Sequence, residues 1–197
     1  MFWGQQDSSV FFCEDKYVES QYVAEYYNTW SCMFYLVPAI IYSKTRINNI
    51  SICLFFLALG SSLLHGTLRY YGQWLDEISM LCLSYMTIKE FKPQLPYDFL
   101  IIIIGLYLYL WNTFCIFLIM FTVMQLIIVK EARKNMKKRN KVYVNFYICS
   151  FLFGLSCWLL DQLACSYVKA YNLHAWWHFF TSASMTSGYY VLLDEKK

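Results

Sequence analysis

The chain has 197 residues, of which 59% are hydrophobic, 21% aromatic and only 15% charged, with a formal net charge of +3. That balance excludes a soluble globular enzyme of ordinary composition, and seven Gly with three Pro exclude a fibrous or low-complexity chain. The length suits a single helical bundle, and the expectation is an all-α integral membrane protein.

Residues 1–22 carry Asp7, Glu14, Asp15, Lys16 and Glu19. An acidic stretch without a basic start reads as an N-terminal segment of the folded protein, not a cleavable signal peptide. A bilayer calls for about 20 apolar residues per helix. Spans are predicted over 23–43, 50–69, 74–90, 98–111, 113–130, 143–165 and 174–192, so that 23–192 forms one seven-helix domain and 193–197 a short tail. Residues 98–129 are almost continuously apolar, and a tight turn near Trp111, Asn112 and Thr113 divides them into two short helices.

Charge fixes the orientation. With seven spans and the N-terminus on the lumenal side, 13 of the 16 Lys and Arg face the cytosol: Lys44, Arg46, Lys89, Lys92, seven between Lys130 and Lys141, Lys196 and Lys197. Lys16, Arg69 and Lys169 remain opposite. This is the asymmetry of the positive-inside rule, and fusing the fourth and fifth spans would break it. The basic loop 130–141 is explained by topology, with contact to anionic lipid headgroups as an addition, so no nucleic-acid partner is expected.

The three histidines stand at the edges of apolar stretches, where an ionisable side chain is expensive and a functional suspect. His174 and His178 share a helix face at i, i+4 spacing, and His65 ends the second span. Span two runs outward while spans three and seven run inward, so Ser61, His65, Asp76, His174 and His178 all fall in the lumenal leaflet. Three imidazoles with an open fourth position for water make a catalytic zinc site. Other readings remain for each residue: a packing role for the histidines, a helix cap for Asp76, a small interface residue for Ser61. Asp161 is either a structural hydrogen-bonding group or a partner that orients a ligand histidine. Trp176 and Trp177 suit the interfacial aromatic belt. Cys32, Cys53, Cys82, Cys115, Cys149 and Cys157 fall in apolar runs as small hydrophobes, which leaves Cys13 and Cys165 as candidates for a disulfide.

Three segments carry a resemblance: FCEDKYVESQYVAEYYNTWS at 12–31, GSSLLHGTLRYYGQWLDE at 60–77, and WLLDQLAC at 158–165 followed by LHAWWH at 173–178. Together they resemble the alkaline ceramidases, seven-helix membrane amidases of a superfamily that includes the adiponectin receptors; residues 90–145 contribute only hydropathy. The resemblance implies zinc on His65, His174 and His178, catalytic roles for Ser61 and Asp76, and a Cys13–Cys165 disulfide on the lumenal side. It also implies ceramide as substrate, cleaved to sphingosine and a fatty acid in the ER or Golgi membrane, with no obligate protein partner. Zinc brings the pKa of its water to about 7; Asp76 is placed to move that water's proton, and Ser61 to donate to the developing oxyanion.

One part of the family pattern is broken. Its calcium positions align here with Phe11, the Phe12 carbonyl, Glu14, Lys16 and Glu25, so that an aspartate has become Phe and an asparagine Lys. A calcium ion wants six to eight oxygens. The expectation is that Lys16 takes the cation's place between Glu14 and Glu25, and that calcium is not required. Rival readings are a hydrolase of another lipid amide or ester, a receptor or lipid-binding protein with structural zinc, and a haem carrier, against which the i, i+4 pair argues.

Overall fold

The structure, a computed structural model, describes residues 2–45, 47–110, 114–135 and 141–194. Arg46, the predicted turn at 111–113, residues 136–140 of the basic loop and tail residues 195–197 lie outside the described residues. The helices are α1 (Tyr26–Ser31), α2 (Leu36–Ser43), α3 (Asn48–Thr67), α4 (Tyr70–Phe91), α5 (Asp98–Tyr109), α6 (Phe114–Lys134), α7 (Lys141–Leu163), α8 (Cys165–Val168) and α9 (Leu173–Asp194). Two 3-10 turns, Cys32–Tyr35 and Lys169–Tyr171, join α1 to α2 and follow α8. Among the described residues there is no strand, as an all-α reading requires. α3, α6 and α7 are long and apolar enough to cross a membrane. α4 and α9 have 22 residues each, but they carry the polar groups of the site.

The first predicted span, 23–43, is broken by the 3-10 turn, and Pro38 explains the break. Proline has no N–H to offer and its ring crowds the carbonyl four residues earlier. That carbonyl, on Phe34, instead accepts Ser182 Oγ of α9 at 2.7 Å. Similar stitches fix α9 to α7, where Ser184 Oγ donates to Tyr147 O at 2.9 Å and Ser187 Oγ to Tyr143 O at 2.7 Å. Apolar side chains such as Ile101, Leu126, Phe153 and Leu163 point outward.

Glycine sets the distance between α3 and α4. A Cβ added at Gly60 would lie 2.5 Å from Asp76 N, and one at Gly72 would lie 2.5 Å from Leu64 N. Only a residue without a side chain allows this approach, and the approach brings Ser61 and His65 beside Asp76. α3 ends where Leu68 turns left-handed (φ 56°). Its last carbonyls, which have no intrahelical partner, accept from the N-terminal segment. Glu25 N–H donates to His65 O at 3.0 Å, Ala24 N–H to Gly66 O at 2.9 Å and Ser8 N–H to Leu68 O at 3.2 Å. Asp7 Oδ1 takes the first N–H of α4, on Tyr70, at 2.5 Å. Asp76 sits in the second turn of that helix and is not its cap, which removes the capping alternative for this residue.

Candidate functional site

The segment before α1 straps the C-terminal end of α3 and brings Glu25 onto His65. The Glu25 carboxylate takes the Nδ1 side of His65 at 2.6 Å and the Asn28 side-chain amide at 3.1 Å, with both Glu25 and His65 fully buried. With its Nδ1 proton given to Glu25, His65 turns the lone pair of Nε2 inward. His178 is arranged the same way. Ser31 Oγ donates to Asn28 O at 2.8 Å, so at 2.7 Å from His178 Nδ1 it acts as acceptor. His178 Nε2 then carries the free lone pair, 3.5 Å from Ser61 Oγ.

His174, one turn before His178, completes the group. Ring centroids lie 4.8 Å apart for His65 and His174, 5.1 Å for His65 and His178, and 4.6 Å for His174 and His178. His174 Nδ1 is buried with no hydrogen-bond partner, a cost that a bound cation would remove. Among the described residues, the donor atoms that come within 4.8 Å of one another belong to Cys32, His65 and His178, a group that could hold a metal ion. Neutral imidazoles and a thiol are the donors zinc prefers. Cys32 approaches His178 from its Nδ1 side at 3.8 Å, and its thiol donates to Asn28 O at 3.1 Å.

Asp76 and Ser61 stand beside these rings and line a cavity of about 300 Å3 together with His174 and His178. Phe12 roofs it, its ring 4.6 Å from His65 and 4.1 Å from His174. From this polar end the cavity runs along α6, past Phe121 and Leu126 to Val129 and Arg133, with Phe151 and Leu155 of α7 opposite. It is therefore an apolar channel closed at one end by titratable groups.

A ceramidase family profile matches residues 4–194. The chain belongs to the ceramidase family. It is 28% identical to "Alkaline ceramidase" of Arabidopsis thaliana over 92% of this chain and 81% of that protein. It is 29% identical to "Alkaline ceramidase YPC1" of Saccharomyces cerevisiae over 91% and 73%, and 26% identical to "Alkaline ceramidase 1" of Mus musculus over 93% and 78%.

The remaining expected positions of this ceramidase-family chain are placed as follows. Cys13 and Cys165 lie at disulfide distance, with Cα atoms 5.4 Å apart. Asp161 Oδ2 accepts Cys13 N–H at 3.1 Å and hydrogen-bonds no histidine, so it anchors the N-terminal segment to α7. Lys16 Nζ donates to Phe12 O at 2.8 Å, to Glu14 O at 2.9 Å and to the Glu25 carboxylate. It reaches Glu14 through the backbone, because the Glu14 carboxylate is used elsewhere, accepting Tyr27 N–H at 2.7 Å and Asn28 N–H at 2.8 Å at the start of α1. Burial pushes the Glu14 carboxyl above its ordinary pKa, against those two N–H groups. Phe11 is exposed, and an ammonium stands among the oxygens, so these residues do not fit a calcium ion. Sequence reasoning assigned Glu25 only to that degenerate cation site and Cys32 to hydrophobic packing. Ser31 it did not single out.

Proposed function

We propose that the protein is a seven-span membrane amidase that hydrolyses ceramide to sphingosine and a free fatty acid, with one zinc ion held by His65, His174 and His178. The activity named for its relatives is thereby extended to this chain. The observation that carries the reading is the meeting of three imidazoles, Ser61 and Asp76 at the closed end of an apolar channel. Zinc bound there supplies Lewis-acid polarisation of the amide carbonyl and an acidified water near neutral pH.

The chain's own residues do the rest. Glu25 and Ser31 fix the tautomers of His65 and His178, so that both present Nε2. Ser61 donates to the carbonyl oxygen as negative charge grows there, a contact worth about 3 kcal/mol in comparable acyl transfers. Asp76 takes a proton from the attacking water and returns it to the departing nitrogen. Water oxygen bonds to the carbonyl carbon, the C–N bond breaks, and the amine leaves with that proton. The apolar walls of α6 and α7 hold a hydrocarbon chain and keep bulk water out.

The N-terminus is lumenal and the C-terminus cytosolic, in the ER or Golgi membrane with the site in the lumenal leaflet. The charge distribution supports this orientation, as does a Cys13–Cys165 pair suited to an oxidising compartment. Lys16 replaces calcium as the cation that gathers the strap. A calcium-selective chelator therefore leaves activity unchanged, and a strict calcium requirement would overturn this assignment.

The test is ceramide turnover by purified protein against His174→Ala and Asp76→Ala. Turnover by the wild type no faster than by either variant would end the hydrolase reading. Cys32 favours a second reading, a structural metal site in a lipid-binding protein, because it could serve as a fourth protein ligand. Cys32→Ala separates the two: it retains turnover in a hydrolase and loses the metal in a structural site.

A further inference from the structure

Glu77, the residue after Asp76, also borders the cavity, and the mechanism above does not use it. It is only 3% exposed. Its Oε1 accepts the Gln73 side-chain amide at 2.8 Å. Gln73, itself fully buried, is held in turn by the strap: Ser9 N–H donates to Gln73 Oε1 at 2.8 Å, and Gln73 Nε2 also donates to Ser9 Oγ at 2.8 Å. The other oxygen, Oε2, is buried without a hydrogen-bond partner. The Tyr107 hydroxyl of α5 lies beside Glu77 but does not come into hydrogen-bond geometry with Oε2. Among the described residues, no Lys or Arg forms an ion pair with Glu77.

A buried carboxylate oxygen left without a donor costs several times what an average hydrogen bond contributes. Here the cost is incurred on the wall of the substrate channel, next to the proposed proton carrier, on a side chain fixed from behind by Gln73 and Ser9. We propose that Glu77 is a specificity-determining residue, accepting a hydrogen bond from a hydroxyl on the amine half of the substrate. This rests on the ceramide reading above and sharpens it to the class of lipid accepted: N-acyl amino alcohols, as opposed to N-acyl alkylamines. A carboxylate is acceptor-only, so it rewards a hydroxyl and penalises a methyl in its place. Sites built to bond a substrate hydroxyl discriminate strongly against the analogue that lacks it, because the site's own polar group is then stranded.

The experiment measures displacement of a fluorescent ceramide from the purified full chain by ceramide, 1-deoxyceramide and 3-deoxyceramide, with turnover of the three lipids followed in parallel. Wild type is expected to bind at least one deoxy lipid about tenfold more weakly than ceramide. Glu77→Ala is expected to remove that preference by weakening ceramide alone. Glu77→Gln, which keeps the shape and one acceptor oxygen, folds as wild type and retains part of the preference. Equal binding of all three lipids by wild type overturns the proposal. So does an equal loss for all three in Glu77→Ala, which is the mark of a merely structural role. Hydroxyl-dependent binding through Glu77 without turnover of any lipid would uphold the proposal while ending the hydrolase reading.

Discussion

The two halves of the cavity wall are built by opposite means. At the polar end, His65 and His178 are each fixed by a named hydrogen-bond partner, and α3 and α4 touch backbone to backbone through Gly60 and Gly72. Along α6 and α7 the wall is mostly apolar side chains such as Phe121, Leu126, Val129 and Phe151, which offer shape more than direction, with Thr122, Gln125 and Arg133 as its few polar points. The difference teaches where tolerance lies. Chemistry at the amide needs atoms placed to a fraction of an ångström, whereas a hydrocarbon chain is held by area alone. Substitutions at the first end should therefore abolish function, and those at the second should retune it.

The largest effect is expected from His178→Ala, which removes a donor and strands Ser31: bound metal, measured by elemental analysis, falls to background and ceramide turnover falls with it. Loss of turnover with full metal retention would contradict the assignment. Glu25→Gln comes next. It keeps the shape but weakens the hold on both His65 and Lys16, so metal affinity drops by about 10- to 100-fold, readable by competition with a chelator. Gly60→Ala pushes a methyl into the backbone at Asp76 and costs about 1–3 kcal/mol in a thermal melt; an unchanged melting temperature would show that the helices separate freely. The smallest effect belongs to the channel. Phe121→Ala leaves metal content intact and shifts the preferred acyl length, with kcat/KM for the best substrate changing by about tenfold. Metal loss in this variant would erase the distinction between the two walls.

Hydropathy and helical spacing made much of this legible from the residues alone. The long helices follow the apolar runs within a few residues, because burial in lipid leaves a continuous signal. His174 and His178 were readable as a pair, because i, i+4 is a property of one helix. What escaped was a set of contacts whose partners are distant in the chain and match no motif. Glu25 meets His65 across 40 residues and Ser31 meets His178 across 147. No local pattern encodes either, although a carboxylate at the edge of an apolar run was a signal that could have been followed further. Cys32 looked like five other cysteines in apolar runs, and only its place one turn after Asn28 and against His178 sets it apart. The 3-10 turn was hidden for a different reason: Pro38 marks a disturbance, but where the helix yields depends on Ser182, far along the chain.

The order in which the ribosome delivers these parts has its own meaning. The strap and His65 emerge early, and His174 and His178 emerge last. Until α9 has been made, the growing chain holds one of the three imidazoles, with Glu25, Cys32 and Asp76 near it in the final fold. The proposed three-histidine site is thus completed only once α9 has been made, and a chain stalled before α9 would lack two of its three imidazoles.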